Sequence, residues 1–172
     1  LQVAPRLDLV PASVELSAVE PRLAGVEGRE LRLRDVLRRS AMPYDVVLLD
    51  CPPAVGALTF NALLACGELL VPVDASTYSR QAVGKLQETL EVLRERKGHD
   101  VVTRLVLSNY DLRSRFARAL RDELATAHGD QLLATVIHPT VRVREAAEHG
   151  VPVLDHDGTC RAAEDFLDLA LE

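Results

Sequence analysis

Asp50 is the residue whose position in the sequence most directly suggests chemistry. It follows residues 46–49, the unbroken apolar run Val-Val-Leu-Leu, which is typical of a β-strand covered on both faces. A carboxylate at the end of such a strand can hold Mg²⁺, usually through water, because Mg²⁺ prefers oxygen ligands and keeps part of its hydration shell. An aspartate in this position also starts turns and caps helices, so the pattern alone leaves both interpretations open.

A second group of candidate residues consists of arginines. Four of them fall within nine residues that contain no acidic side chain: Arg113, Arg115, Arg118 and Arg121. A second basic segment contains Arg142 and Arg144. Such clusters can bind phosphates without reading a base sequence. They can equally form the solvated face of a helix, which is the alternative we favour for Arg121.

Asn109 and Asp111 follow a predicted strand at residues 101–107. In sheets of parallel strands, ligands bind outside the carboxyl ends of the strands. A side-chain amide or carboxylate there can form hydrogen bonds with a ligand. The alternative is an Asn-Tyr-Asp turn that makes its own local hydrogen bonds.

The elements that must position these residues alternate along the chain. Apolar runs predict strands at residues 7–10, 46–49, 69–73, 101–107 and 132–137. Apolar residues at helical spacing predict helices at residues 14–23, 30–39, 59–66, 77–96, 114–127, 141–149 and 160–171. Strand–helix alternation predicts an α/β fold with a mainly parallel sheet. We find no linker that would divide the 172 residues, and we expect a single domain.

Composition excludes several classes of protein. The chain is 48% hydrophobic and 27% charged, which is typical of a globular protein and not of a disordered one. Aromatic residues make up only 3%, which argues against modules that stack nucleic-acid bases on exposed rings. The net charge of -6 means that any DNA binding must come from a local basic patch. Three scattered cysteines favour a reduced, cytoplasmic setting.

Several segments together resemble the ParA family of partition ATPases, close relatives of MinD. The clearest are Asp-Cys-Pro-Pro at residues 50–53, Leu-Thr-Phe-Asn-Ala-Leu at 58–63 and Val-Pro-Val at 71–73. Residues 109–115, 141–146 and 7–13 also look like family segments, in the same order. The resemblance implies a three-layer, Rossmann-like P-loop NTPase fold, with residues 1–172 forming one ATPase domain.

The resemblance also implies roles for individual residues. Asp50 would organise Mg²⁺ beside ATP, and Pro52, Pro53 and Gly56 would form a switch loop that senses the γ-phosphate. Base contacts would come from Asn109, Asp111 and Pro139. Basic residues on one face of an ATP-bound homodimer would bind DNA without sequence preference: Arg113, Arg115, Arg118, Arg142 and Arg144. A ParB-like partner would trigger hydrolysis on the nucleoid.

The sequence departs from the family pattern in two places. It contains no G-x-x-x-x-G-K-[ST] motif, so we expect it to be the portion after the P-loop unit and not to hydrolyse ATP alone. The alternative is a P-loop-less relative that acts as a dimerisation or partner-binding module. Residues 137–140 read Ile-His-Pro-Thr where the family has I-P-R-N. The acidic C-terminus argues against a membrane anchor.

Overall fold

The computed structural model describes residues 1–40, 44–52, 56–76 and 78–172. These residues form two compact units, Leu1–Gly67 and Glu68–Glu172. Within the described ranges, no helix is long and apolar enough to cross a membrane.

The first unit contains a small antiparallel hairpin and short helices. Strand β1 pairs with β2 so that Gln2 lies opposite Asp8. The elements in chain order are β1 (Gln2–Ala4), β2 (Leu7–Asp8), α1 (Val14–Ser17), α2 (Val19–Arg22), a 3₁₀ turn (Arg29–Leu31), α3 (Arg32–Arg39) and α4 (Ala57–Ala65). The helix predicted at residues 14–23 is therefore split in two. Pro21 is one reason, because it has no N–H to continue an α-helical ladder.

Asn61 joins the helical part of this unit. Its side-chain amide is buried and donates to the carbonyl oxygens of Arg29, at 3.0 Å, and Ala57, at 2.8 Å. Its Oδ1 atom accepts from the backbone amide of Leu33 at 3.1 Å. The Asn of the Leu-Thr-Phe-Asn-Ala-Leu segment thus has a structural role, since it connects α4 to the 3₁₀ turn and to α3.

The prediction of a buried strand at residues 46–49 is wrong. These residues belong to no strand in the structure, and Val46, Val47 and Leu48 are exposed. A strand needs a neighbour to satisfy its backbone, and no strand within the described ranges pairs with this segment. The apolar pattern shows that these side chains favour burial, but it does not provide a neighbouring strand for the segment to pair with.

The second unit is built on a parallel three-stranded sheet in the order β3–β4–β5. The strands are β3 (Glu68–Asp74), β4 (Val102–Ser108) and β5 (Leu132–Val136), and the helices are α5 (Ser79–Lys97), α6 (Arg115–His128), α7 (Arg142–Glu148), α8 (Val153–His156) and α9 (Arg161–Leu171). The three strands were predicted within a residue or two at each end. The short helix α8 was not predicted.

A continuous apolar core fixes the sheet against its helices. Leu105 and Leu107 on β4 are fully buried, as are Ala117 and Leu120 on α6. The remaining buried members of the cluster are Val73, Val83, Tyr110 and Leu124. Removing a buried leucine side chain from such a cluster costs about 2–5 kcal/mol.

The ends of the helices follow the local sequence. Helix α5 stops at Gly98, whose φ of 58° lies in the left-handed region that glycine adopts without steric cost. Ser114 caps α6, because its hydroxyl accepts from the backbone amide of Ala117 at 3.2 Å. Both features place the loops at the two ends of β4.

Candidate functional site

The carboxyl ends of the three parallel strands lie level with one another in the second unit. Asp74 at the end of β3 is in register with Ser108 at the end of β4. The backbone continues this contact beyond the strands, since the amide of Tyr110 donates to the carbonyl of Ile137 at 2.9 Å. The loop after β4 and the loop after β5 are therefore adjacent, which brings Asn109 and Asp111 near residues 137–139.

Asn109 has an unusual backbone conformation at this edge. Its φ is 54°, and it is one of two non-glycine residues with positive φ in the described ranges. Such conformations cluster at functional sites, and Asn tolerates them better than most residues. The residue is exposed, and its side-chain amide has no hydrogen-bond partner among the described residues. The amide is therefore available to a ligand.

Asp111 is committed to a local turn. Its carboxylate accepts from the backbone amide of Arg113 at 2.9 Å and from the guanidinium of the same residue at 3.1 Å through each oxygen. The Arg113 side chain and backbone hold the pKa of the Asp111 carboxyl below its usual value. Asp111 thus makes the local hydrogen bonds that the sequence left open as an alternative.

His138 is a residue of this edge that sequence reasoning did not single out. Its backbone amide donates to Asp165 Oδ2 at 2.8 Å, and its Nδ1 lies 3.0 Å from the same oxygen. Asp165 is buried and also accepts from Arg161 Nε at 3.3 Å. The pair ties the loop after β5 to α9, while the neighbouring Pro139 is exposed. The replacement of the family's Pro-Arg by His-Pro was the only signal in the sequence.

A hydrogen-bonded cluster closes the end of β3. Ser79 is buried. Its hydroxyl donates either to the backbone carbonyl of Asp74, at 2.7 Å, or to the Asp74 carboxylate, at 2.6 Å. Ser76 lies 3.0 Å from the same carboxylate. These contacts fix the turn that leads from β3 into α5.

The predicted magnesium and switch residues lie in the first unit. Asp50 is exposed, and no described residue forms a hydrogen bond or ion pair with its carboxylate. Pro52 is exposed as well, whereas Pro53 lies outside the described residues. Gly56 precedes α4, where Glu20 Oε1 accepts from the amide of Leu58 at 3.2 Å.

Glycine at position 56 avoids a steric clash with the side chain of Glu20. A Cβ at this position would lie 2.6 Å from Glu20 Oε1. Helix α4 has no side-chain cap of its own and no acidic residue in its first turn. Gly56 therefore leaves room for a carboxylate from α2 at the N-terminus of α4, where negative charge is favoured.

The predicted DNA-binding arginines fall into two groups. Arg115, Arg118 and Arg144 are exposed and have no ion-pair partner among the described residues. Arg113 is bound by Asp111, and Arg142 is bound by Glu145 at 2.8 Å and by Asp157 at 3.3 Å. The first group presents free positive charge on α6 and α7, and the second is already neutralised.

The described residues contain no group of three or more His, Cys, Asp or Glu side chains placed to hold a metal ion directly. A single exposed carboxylate, as at Asp50, fits a hydrated Mg²⁺ that keeps most of its water ligands.

The sequence and the fold match known proteins over most of the chain. The AAA_31 family model, an AAA domain, matches residues 2–103. The sporulation initiation inhibitor protein Soj of Bacillus subtilis is 33% identical over 167 residues, which cover 96% of this chain and 66% of Soj. The chromosome partitioning protein ParA of Caulobacter vibrioides is 35% identical over 171 residues, which cover 98% of this chain and 64% of that protein.

The chain belongs to the ParA/Soj family. It spans less than two thirds of the length of these two ParA/Soj relatives. A solved structure is similar in fold: cobyrinic acid a,c-diamide synthase of Mycobacterium smegmatis, with bound ATP analogue and magnesium, is 28% identical with a TM-score of 0.60. That match covers 76% of this chain and 52% of the synthase. The ParA/Soj assignment confirms the predicted P-loop NTPase fold.

Proposed function

We propose that this chain is part of a ParA-like partition ATPase, in which both compact units belong to one ATPase domain. The protein would bind DNA without sequence preference as an ATP-bound homodimer on the nucleoid. A ParB-like partner would stimulate hydrolysis and release. The observation that carries the proposal is the similarity to chromosome-partitioning proteins over 96–98% of the chain.

Two side chains support the nucleotide part of the proposal. The exposed carboxylate of Asp50 is available to a hydrated Mg²⁺, which would neutralise charge on the phosphates. The free amide of Asn109 is available to a base at the carboxyl edge of the sheet. We assign Pro52, Pro53 and Gly56 to the switch loop and Pro139 to the base contacts. Asp111 already accepts three hydrogen bonds from Arg113, so we assign the larger role to Asn109.

The free arginines support the DNA part of the proposal. Each phosphate that an arginine neutralises releases counterions, and the logarithm of the affinity then falls with the logarithm of the salt concentration by about 0.9 per contact. Arg115, Arg118 and Arg144 can make such contacts without first breaking an ion pair. Arg113 and Arg142 have to exchange a carboxylate for a phosphate.

The test uses the full-length protein and a random-sequence DNA duplex. With ATP and Mg²⁺ we expect the protein to shift the DNA in a gel, and with ADP we expect no shift. The variant Arg115→Glu should give a weaker shift. The conservative control Arg115→Lys keeps the charge and should keep binding. A protein that binds neither ATP nor DNA but still forms a dimer would instead be a non-enzymatic module.

A further inference from the structure

Arg142 is the centre of a charged cluster in which negative charge is in excess. Its Nη1 atom donates to Glu145 Oε2 at 2.8 Å, and its Nε lies 3.3 Å from Asp157 Oδ2. One guanidinium therefore faces two carboxylates. The side chain is about half exposed, at 49%, so it can reach solvent, but its charge is more than balanced.

The same oxygen of Glu145 also faces a histidine. His156 Nε2 lies 3.6 Å from Glu145 Oε2, the atom that binds Arg142. The His156 ring stacks on the ring of His149, with centroids 5.3 Å apart and planes 29° from parallel. Only 21% of the His156 side chain is exposed, so the ring is held against α7 and cannot swing freely into solvent.

Several charged or titratable groups belong to this cluster. Helix α7 supplies Arg142 and Glu145, and His149 follows the end of that helix. The chain after α8 supplies Asp157, and the residue before α9 supplies Cys160, which acts on Arg142. Arg142 and His156 both lower the pKa of the Glu145 carboxyl, with the Arg142 hydrogen bond as the largest cause. Glu145 thus stays ionised and is shared by two basic groups.

We propose that His156 controls the phosphate affinity of Arg142 by competing for Glu145. A neutral His156 leaves Glu145 to Arg142, which then carries too little positive charge to attract DNA. A protonated His156 attracts the Glu145 carboxylate and adds a positive charge to the cluster. Because a protonated imidazole is a cation, DNA binding through Arg142 should strengthen as the pH falls. This inference rests on the proposed DNA binding.

The first experiment measures DNA affinity of the full-length protein, with ATP and Mg²⁺ at constant salt, at about pH 6 and about pH 8. For a partly exposed ion pair, we expect tighter binding at the lower pH by about threefold. His156→Gln should bind equally at both pH values. Glu145→Gln should bind at pH 8 as tightly as the wild type does at pH 6.

His99→Gln is the matched control, because His99 lies between α5 and β4, away from α7 in sequence. It should keep the wild-type response to pH. A response that His156→Gln leaves unchanged would overturn the inference. If His156→Gln fails to fold by circular dichroism, Glu145→Gln decides, since its side chain is more exposed, at 40%.

A second readout does not depend on DNA. In the ¹⁵N spectrum of the full-length protein, the Arg142 Nε–H signal should shift with the same pH midpoint as the imidazole signal of His156. The shift should vanish in Glu145→Gln. If the Arg142 signal does not change together with the His156 signal, the proposed switch is wrong, whether or not the protein binds DNA. A coupled signal without any DNA binding supports the switch and overturns the proposed function.

Discussion

Asp111 and Arg113 form a closed ion pair across two residues of the loop after β4. The aspartate accepts one backbone and two side-chain hydrogen bonds from the arginine. The sequence predicts a ligand for both residues: the nucleotide base for Asp111 and DNA for Arg113. Each side chain therefore already balances much of the charge of the other.

The first prediction compares Arg113 with Arg115 in DNA binding by the full-length protein. Arg115→Ala should lower the salt dependence of log Kd by about 0.9, the value of one phosphate contact. Arg113→Ala should change it little, because Asp111 already neutralises this guanidinium. Fluorescence anisotropy over a salt series measures both slopes. Equal losses in the two variants would mean that Arg113 exchanges Asp111 for DNA.

The second prediction concerns the acid titration of Asp111. Arg113 lowers the pKa of this carboxyl, so the pair stabilises the folded loop above the ordinary aspartate pKa of about 3.9. That contribution is lost as the pH falls through the lower, folded value. In Arg113→Ala, the ¹³C carboxyl signal of Asp111 should titrate at a higher pH than in the wild type. Arg115→Ala is the control and should leave the midpoint in place.

The third prediction is that Asn61 stabilises the first unit. Asn61→Ala removes three hydrogen bonds and leaves the backbone groups of Arg29 and Leu33 without this partner, which we expect to cost about 2 kcal/mol. Urea denaturation, followed by circular dichroism, measures the loss. Asn109→Gly is the control, because glycine accepts a positive φ and the Asn109 amide has no described partner. A control that loses as much stability would contradict the assignment.

The fourth prediction concerns Glu172 and the outer edge of the sheet. Its carboxylate accepts from the β5 amides of Ala134, at 2.8 Å, and Thr135, at 2.9 Å, and these bonds lower its pKa. The stabilisation is therefore complete above the ordinary glutamate pKa of about 4.3 and disappears at more acidic pH.

Thermal unfolding of the wild type and Glu172→Gln should differ at pH 7 and converge below the lowered pKa. Glu164→Gln is the control, because Glu164 is an exposed residue of α9, the helix that precedes Glu172. A wild type that is no more stable than Glu172→Gln at pH 7 would show that these bonds do not stabilise the edge.

The fifth prediction tests the magnesium assignment in the full-length protein. Asp50→Ala should abolish Mg²⁺-dependent ATP hydrolysis and leave the unfolding midpoint unchanged, since the exposed carboxylate has no described partner. Asp45→Ala, in an equally exposed segment, should retain activity. Hydrolysis that survives Asp50→Ala would assign the metal ligand to another residue.

Local sequence patterns predicted most elements of the second unit, because the spacing of apolar residues indicates which side chains of a helix or strand are buried. Val83 and Leu93, two of the apolar residues in the predicted helix at residues 77–96, are buried. The same reasoning failed at residues 46–49, where strand formation depends on a partner elsewhere in the chain. Helix α8 was missed because its four residues are too few to show a period.

The contacts of the candidate site were harder to foresee than its elements. Asp165 meets His138 across 27 residues of sequence, and Asn61 meets Leu33 across 28. No spacing rule links residues so far apart. By contrast, the Asp111–Arg113 turn spans two residues, and the sequence had offered it as an alternative.

The uncovered aliphatic segment at residues 46–49 has a consequence for handling the protein. Val46, Val47 and Leu48 form a short, strand-prone strip that can recruit the same strip on another molecule, and flanking charges are what usually oppose such self-association. Asp45 and Asp50 are those charges here. Replacing Asp50 in this 172-residue chain therefore removes a gatekeeper as well as a carboxylate, and light scattering should accompany work with such a variant.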